Sequence, residues 1–143
     1  MNITELREKA EHGSVVAQTA LGICYLDGVD AEVDYEEAFR LLSAASEKGA
    51  SRAIANLARM YADGLGTPKN LGEAIRLFEL AANKGEFLAQ IELARMFSKG
   101  TVVLPDAQAA GRWYSSAIAQ ESTVGDCVEL REARAYIRSA TNC

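Results

Sequence analysis

The sequence has little that supports chemistry on a small molecule. Its 143 residues hold one His and three Cys. Cys24, Cys127 and Cys143 form no CxxC and no paired spacing, which excludes a zinc-binding knuckle and a disulfide framework. Cys24 and Cys127 read as small apolar residues, and Cys143, the last residue, carries no prenylation tail. His12 stands beside Gly13 near a helix end, where a cation suits the helix dipole. No GxSxG, P-loop or SxxK motif occurs. The expectation is therefore no catalytic residue, no cofactor and no metal. No run of basic residues appears and the net charge is −5, which argues against nucleic acid as a partner. No apolar stretch is long enough to cross a bilayer, which argues against a membrane-spanning role. The charged start "MNITELREKAEHG" has no apolar h-region. Together with the sparse Cys it points to a cytoplasmic protein. With 49% apolar and 24% charged residues, the chain reads as one globular domain over 1–143.

What the chain does have is repetition. "LARMYADG" from Leu57 and "LARMFSKG" from Leu93 lie 36 residues apart, and "LGICYLDG" from Leu21 precedes them by the same step. In that register Gly13, Gly49 and Gly85 align, then Ala17, Ala53 and Ala89, then Tyr25, Tyr61 and Phe97, then Gly28, Gly64 and Gly100. No gap is needed across the three units, and a fixed period of this length signals a solenoid.

Each unit reads as two helices. Ala17, Leu21 and Tyr25 form one stripe at i, i+4, i+8, with small Gly22, Ala58 and Ala94 letting a neighbour approach. Gly28, Gly64 and Gly100 end the first helices. Asp34 and Asn70 start the second helices as N-caps, each followed by Glu37 or Glu73 in a capping-box arrangement. Asp106 has Ala109 there, so its cap is expected to be weaker. The second stripe is Ala38, Leu41, Leu42, Ala45, repeated as Ala74, Leu77, Phe78, Ala81 and as Ala110, Trp113, Tyr114, Ala117. Trp113 is expected in the core. The segment before Gly13 resembles the tail of a second helix. The stripe Cys127, Leu130, Ala133, Ile137, Ala140 marks a terminal helix from about Thr123. The expected division is an N-terminal capping helix in 1–12, repeats over 13–48, 49–84 and 85–120, and a C-terminal capping helix in 121–143: about eight helices and no strands.

"AQTALGICYLDG" (Ala17 to Gly28) and "GLGTPKNLGEAIRLFELAANKG" (Gly64 to Gly85) resemble the Sel1-like repeat, a relative of the tetratricopeptide repeat. The resemblance runs from Gly13 to about Gln120, and the 36-residue period favours it over the 34-residue tetratricopeptide. It implies an all-α, right-handed α-solenoid of three helix-pair repeats with capping helices at both ends, acting as an adaptor that binds other proteins. Members occur in bacterial signalling, secretion, host interaction and neutralisation of secreted toxins. The family loop usually carries Gly-Xaa-Gly. Unit two keeps it in Gly64 and Gly66, but Asp30 and Val102 stand at the second place in the other units, so those loops are expected to take another path. The subgroup with two Cys per repeat is excluded.

A solenoid of this kind is expected to present a concave face lined by first helices. The positions left over from the core stripe are Thr19, Ala55, Ile91; Ala20, Asn56, Glu92; Ile23, Arg59, Arg95; and, near the helix end at the rim, Asp27, Asp63, Lys99. The candidate partner-binding residues are Ile23, Asn56, Arg59, Ile91, Glu92 and Arg95. Arg holds carboxylates bidentately, and Asn56 and Glu92 stand three residues before Arg59 and Arg95 on the same side. The plain alternative is that Glu92 and Arg95 simply pair with each other. Met60 and Met96 share a rung with Cys24 and are expected to pack between first helices. Val102, Val103 and Leu104 are expected to tuck under the last helix.

The acidic run "DGVDAEVDYEE" (Asp27 to Glu37) fails the calcium-loop spacing. It reads as a solvated loop and charged helical turn, or else as an acidic patch for a basic partner. The function expected is a non-enzymatic protein–protein interaction module, monomeric or weakly dimeric, binding a protein or peptide. The alternatives are an immunity or antitoxin protein that neutralises one secreted effector, or a hydrolase using two convergent carboxylates.

Overall fold

A computed structural model describes residues 2–100 and 104–141 of the chain. Among the described residues the elements are nine helices: α1 (Ile3–Glu11), α2 (Val15–Asp27), α3 (Tyr35–Glu47), α4 (Ser51–Asp63), α5 (Leu71–Asn83), α6 (Phe87–Lys99), α7 (Ala107–Ile118), the single turn α8 (Glu121–Val124) and α9 (Val128–Thr141). The pairs α2–α3, α4–α5 and α6–α7 are the three repeat units. The expected terminal helix is broken. A one-turn α8 and Gly125, at φ 74°, separate it from α7, and α9 begins only at Val128.

The connection inside each repeat is made the same way three times. The first helix ends on Gly28, Gly64 or Gly100, each left-handed with φ of 70°, 69° and 63°. The backbone N–H of the next helix's cap residue then donates to the aromatic residue of the helix just finished: Asp34 to Tyr25 O at 2.9 Å, Asn70 to Tyr61 O at 2.9 Å and Asp106 to Phe97 O at 3.0 Å. The cap side chains accept from the third residue on, Glu37 N at 3.1 Å, Glu73 N at 3.1 Å and Ala109 N at 2.9 Å. Two expectations are corrected here. The reciprocal half of the capping box does not form, because the cap N–H is already taken by the Tyr or Phe carbonyl. Glu37 and Glu73 turn instead to Arg40 and Arg76 one turn on. For the same reason Asp106, lacking a Glu, caps as well as the other two.

The first loop also follows the second one's path. Asp30 takes φ 59°, as Gly66 takes φ 70°. A Cβ at Gly66 would run into the Tyr35 carbonyl, at the start of the preceding second helix. Asp30 carries its side chain in that left-handed conformation, and Asp is among the few residues that occupy this region. Val102 and Val103 lie outside the described residues, as does Cys143. Leu104 does not tuck under a helix; it is 87% exposed.

The chain divides into two compact units, residues 1–81 and 82–143. In the first, Leu6, Ala10, Ala17, Leu21 and Leu41 join α1 to α2 and α3. Leu26, Ala38, Leu42, Ala45, Ala53 and Met60 join α2, α3 and α4. Gly22 lets α2 and α3 approach closely: a Cβ there would stand 2.7 Å from Leu42 Cγ, and such overpacking costs about 1–3 kcal/mol. In the second unit Ile91, Ala94, Tyr114, Ala117 and Ala133 form the core, so α9 follows α7 as α4 follows α3. Trp113 is only partly buried against that cluster; the buried aromatic is its neighbour Tyr114.

Candidate functional site

Four turns of each first helix place the same positions outward. On α2 these are Val16, Ala20, Ile23 and Asp27, and on α4 Arg52, Asn56, Arg59 and Asp63, the i, i+4, i+7, i+11 line of a helix. Val16 is 77% exposed. Arg52, Asp27 and Asp63 are exposed too, while Ala20, Ile23, Asn56 and Arg59 are half-buried. Arg59 crosses from α4 to α2, with its Nη2 donating to Asp27 Oδ1. Both side chains keep more than a third of their surface in water, so this pair adds at most about 1 kcal/mol. Asn56 Nδ2 donates to the Arg52 carbonyl at 2.9 Å. Above this row a cleft of about 310 Å³ opens between the first turns of the two helices, lined by Val15, Val16, Thr19 and Ala20 on one wall and by Ala50, Ser51 and Arg52 on the other.

The second unit treats the equivalent row differently. On α6, Leu88 is 48% exposed and Glu92 and Arg95 are half-buried. Arg95 is fully engaged. Its Nε lies 3.1 Å from each oxygen of Glu132, its Nη2 donates to Glu132 Oε2 at 2.7 Å and its Nη1 to Glu92 Oε1 at 2.7 Å. The Tyr114 hydroxyl donates to Glu132 Oε1 at 3.0 Å. The hydrogen bonds from Arg95 hold the Glu132 carboxyl below the usual carboxylate range, and the same contact raises the Arg95 guanidinium further. Burial first, and the hydrogen bond to Glu132 second, push the Tyr114 phenol up to about 12.

These positions revise the sequence reading. Ile91 is not a groove contact: it is fully buried, in one cluster with Ala133 of α9. Thr19 and Ala55, in the same ring, are buried as well. Ile91 faces α9, so it packs rather than binds. Arg95 clamps α9, and the plain pairing of Glu92 with Arg95 is present. Ile23 packs partly against the core beside Leu26, leaving only its outer side for a partner. Met60 is buried as expected. The reading missed Val16, Arg52 and Leu88, which stand one turn before Ala20, Asn56 and Glu92. An i−4 step back from those residues finds them.

Other reactive groups are accounted for structurally. His12 ends α1 with its Nδ1 2.7 Å from the Glu8 carbonyl. Cys24 is a half-buried free thiol, raised above its ordinary value by burial and then by Asp30 and Asp27, which makes it a poor nucleophile. Among the described residues no three His, Cys, Asp or Glu side chains gather as a metal site. No helix there is long and apolar enough to cross a membrane.

The helix-pair repeat has counterparts in known proteins. The Sel1 repeat model matches residues 15–49, 51–86 and 88–122. A Sel1 repeat protein from Oxalobacter formigenes is similar at 35% identity, with a TM-score of 0.74, over 95% of this chain and 96% of that one. A protective antigen present in uropathogenic Escherichia coli strains, displaying an SLR fold, is similar at 32% identity, with a TM-score of 0.74 over 84% of this chain. This chain spans 26% of that protein's length. No curated protein sequence matches. Matched along most of its length by three successive repeats, the chain belongs to the Sel1 repeat family and has its all-α solenoid fold, with α1 before the repeats and α9 after them.

Proposed function

We propose that the chain is a non-enzymatic interaction module that holds a partner protein or peptide on the outward row of its first helices. In the first unit the row is Val16, Ala20 and Ile23 beside Arg52, Asn56 and Arg59; in the second it is Leu88 and Glu92. The observation that carries this reading is the row itself, with Val16 and Arg52 exposed at its open end and Ala20, Ile23, Asn56 and Arg59 half-buried along it. This face sets an open valine and an arginine on either side of a cleft with largely apolar walls. The Sel1 family, commonly a protein-interaction module, supports the same reading.

The test is affinity capture with the full chain beside a Val16→Asp/Arg59→Glu variant, both checked for folding by circular dichroism. A protein enriched by the wild type and lost by the folded variant supports the reading. A partner held equally by both moves the interface off this row.

A further inference from the structure

We propose that the cleft between the first turns of α2 and α4 takes an acidic-aliphatic segment of a partner protein, its aliphatic side chain lying on Val16 and Ala20 and its carboxylate on Arg52. The inference rests on the reading above and sharpens it to one chemistry. The cleft of about 310 Å³ has room for side chains rather than for a whole helix. Its walls are Val15, Val16, Thr19, Ala20, Ala50 and Ser51, with Arg52 at the edge, so no carboxylate lines it.

Arg52 differs from Arg59, the other arginine of α4. Arg40 is paired with Glu37 and Arg59 with Asp27, but Arg52 forms no ion pair among the described residues. It also stands in the first turn of α4, which holds no acidic residue and begins on Ala50 with no side-chain cap. The positive end of the helix dipole opposes a cation there. For the stability of the free chain this is the wrong charge in the wrong turn. In a chain of net charge −5, the cleft therefore presents a lone uncompensated cation on apolar walls. A segment with a carboxylate compensates that charge as water leaves. A neutral or basic segment leaves Arg52 unpaired or repelled.

The experiment is selection of displayed random short peptides on the full chain, on Arg52→Glu and on Val16→Asp. The expected result is a set of peptides pairing Asp or Glu with Leu, Ile or Val. These bind Arg52→Glu at least about tenfold more weakly and Val16→Asp more weakly still. The free Arg52→Glu variant melts at the same or a higher temperature than wild type, because the helix dipole now favours the charge, so lost binding is not lost folding. Peptides that need Val16 but carry no acidic residue, or bind Arg52→Glu equally, overturn this inference and leave the proposed function standing. Peptides indifferent to both substitutions, or no enrichment, overturn both.

Discussion

Arg95 and Glu132 tie α6 to α9: the guanidinium meets the carboxylate through Nε and Nη2, the shorter contact being 2.7 Å. The two side chains keep 29% and 34% of their surface in water, so the pair is neither a free surface bridge nor a buried one. Truncating Glu132 leaves the Tyr114 hydroxyl and the guanidinium short of an acceptor. Glu132→Ala is expected to cost about 1–2 kcal/mol. That lowers Tm by about 3–8 °C in a chain of this size, read by calorimetry. An unchanged Tm means that α9 is held by Leu130 and Ala133 alone.

The same pair sets the acid limb of stability. Glu132 is depressed in the folded state by Arg95, so its contribution is full above the ordinary carboxylate range and fades as pH falls through the lowered value. Glu132→Gln should therefore differ from wild type most at neutral pH and converge with it as pH drops below about 4. On the alkaline side Tyr114 keeps its proton to about 12 when folded, against an ordinary value of 10. Its contribution is full below 10 and is lost as pH rises toward 12. Tyr114→Phe should flatten the fall of Tm over that alkaline interval.

Gly66 and Asp30 hold one position of the repeat and should respond oppositely. Gly66→Asp sets a Cβ against the Tyr35 carbonyl in a left-handed backbone and is expected to cost about 2–4 kcal/mol. Asp30→Gly removes a tolerated side chain and should change stability by less than about 0.5 kcal/mol. Urea titration of both variants measures the difference.

The first and third repeats differ at one clasp. Gln120 Nε2 bridges the Gly85 carbonyl and Gln90 Oε1, both at 2.9 Å. The residue 72 positions earlier is Lys48, whose Nζ reaches the Gly13 carbonyl at 3.2 Å. Gln18, equivalent to Gln90, donates to the Ala10 carbonyl at 3.4 Å, but its buried Oε1 has no partner among the described residues. Lys48→Gln should complete the clasp and raise stability by about 0.5–1 kcal/mol. A lower Tm would contradict the equivalence.

The repeat register, the glycine stops, the cap positions and most of the core stripe were legible in the sequence, because each repeats locally at a fixed spacing. What escaped depended on neighbours the pattern does not encode. Thr19, Ala55 and Ile91 are half a helical turn from Ala17, Ala53 and Ala89, which suggests an outward face, yet all three are buried. The signal was their chemistry: none is charged, whereas the neighbouring rows hold Arg, Asn and Glu. Glu132 lies outside the repeat period, so nothing in the register tied it to Arg95. The left-handed Asp30 was hidden because what makes Gly66 necessary is a contact with the preceding repeat.

The central claim is that a partner meets the outward row of α2 and α4. A photo-crosslinking amino acid placed at Val16, and in a separate chain at Leu80 of α5, tests it in native lysate. Leu80 is 41% exposed, so both positions accept the substitution without disturbing the core. The account expects one discrete crosslinked species from Val16 and none from Leu80. Crosslinking from Leu80 with none from Val16 would place the interface on a second helix and contradict it.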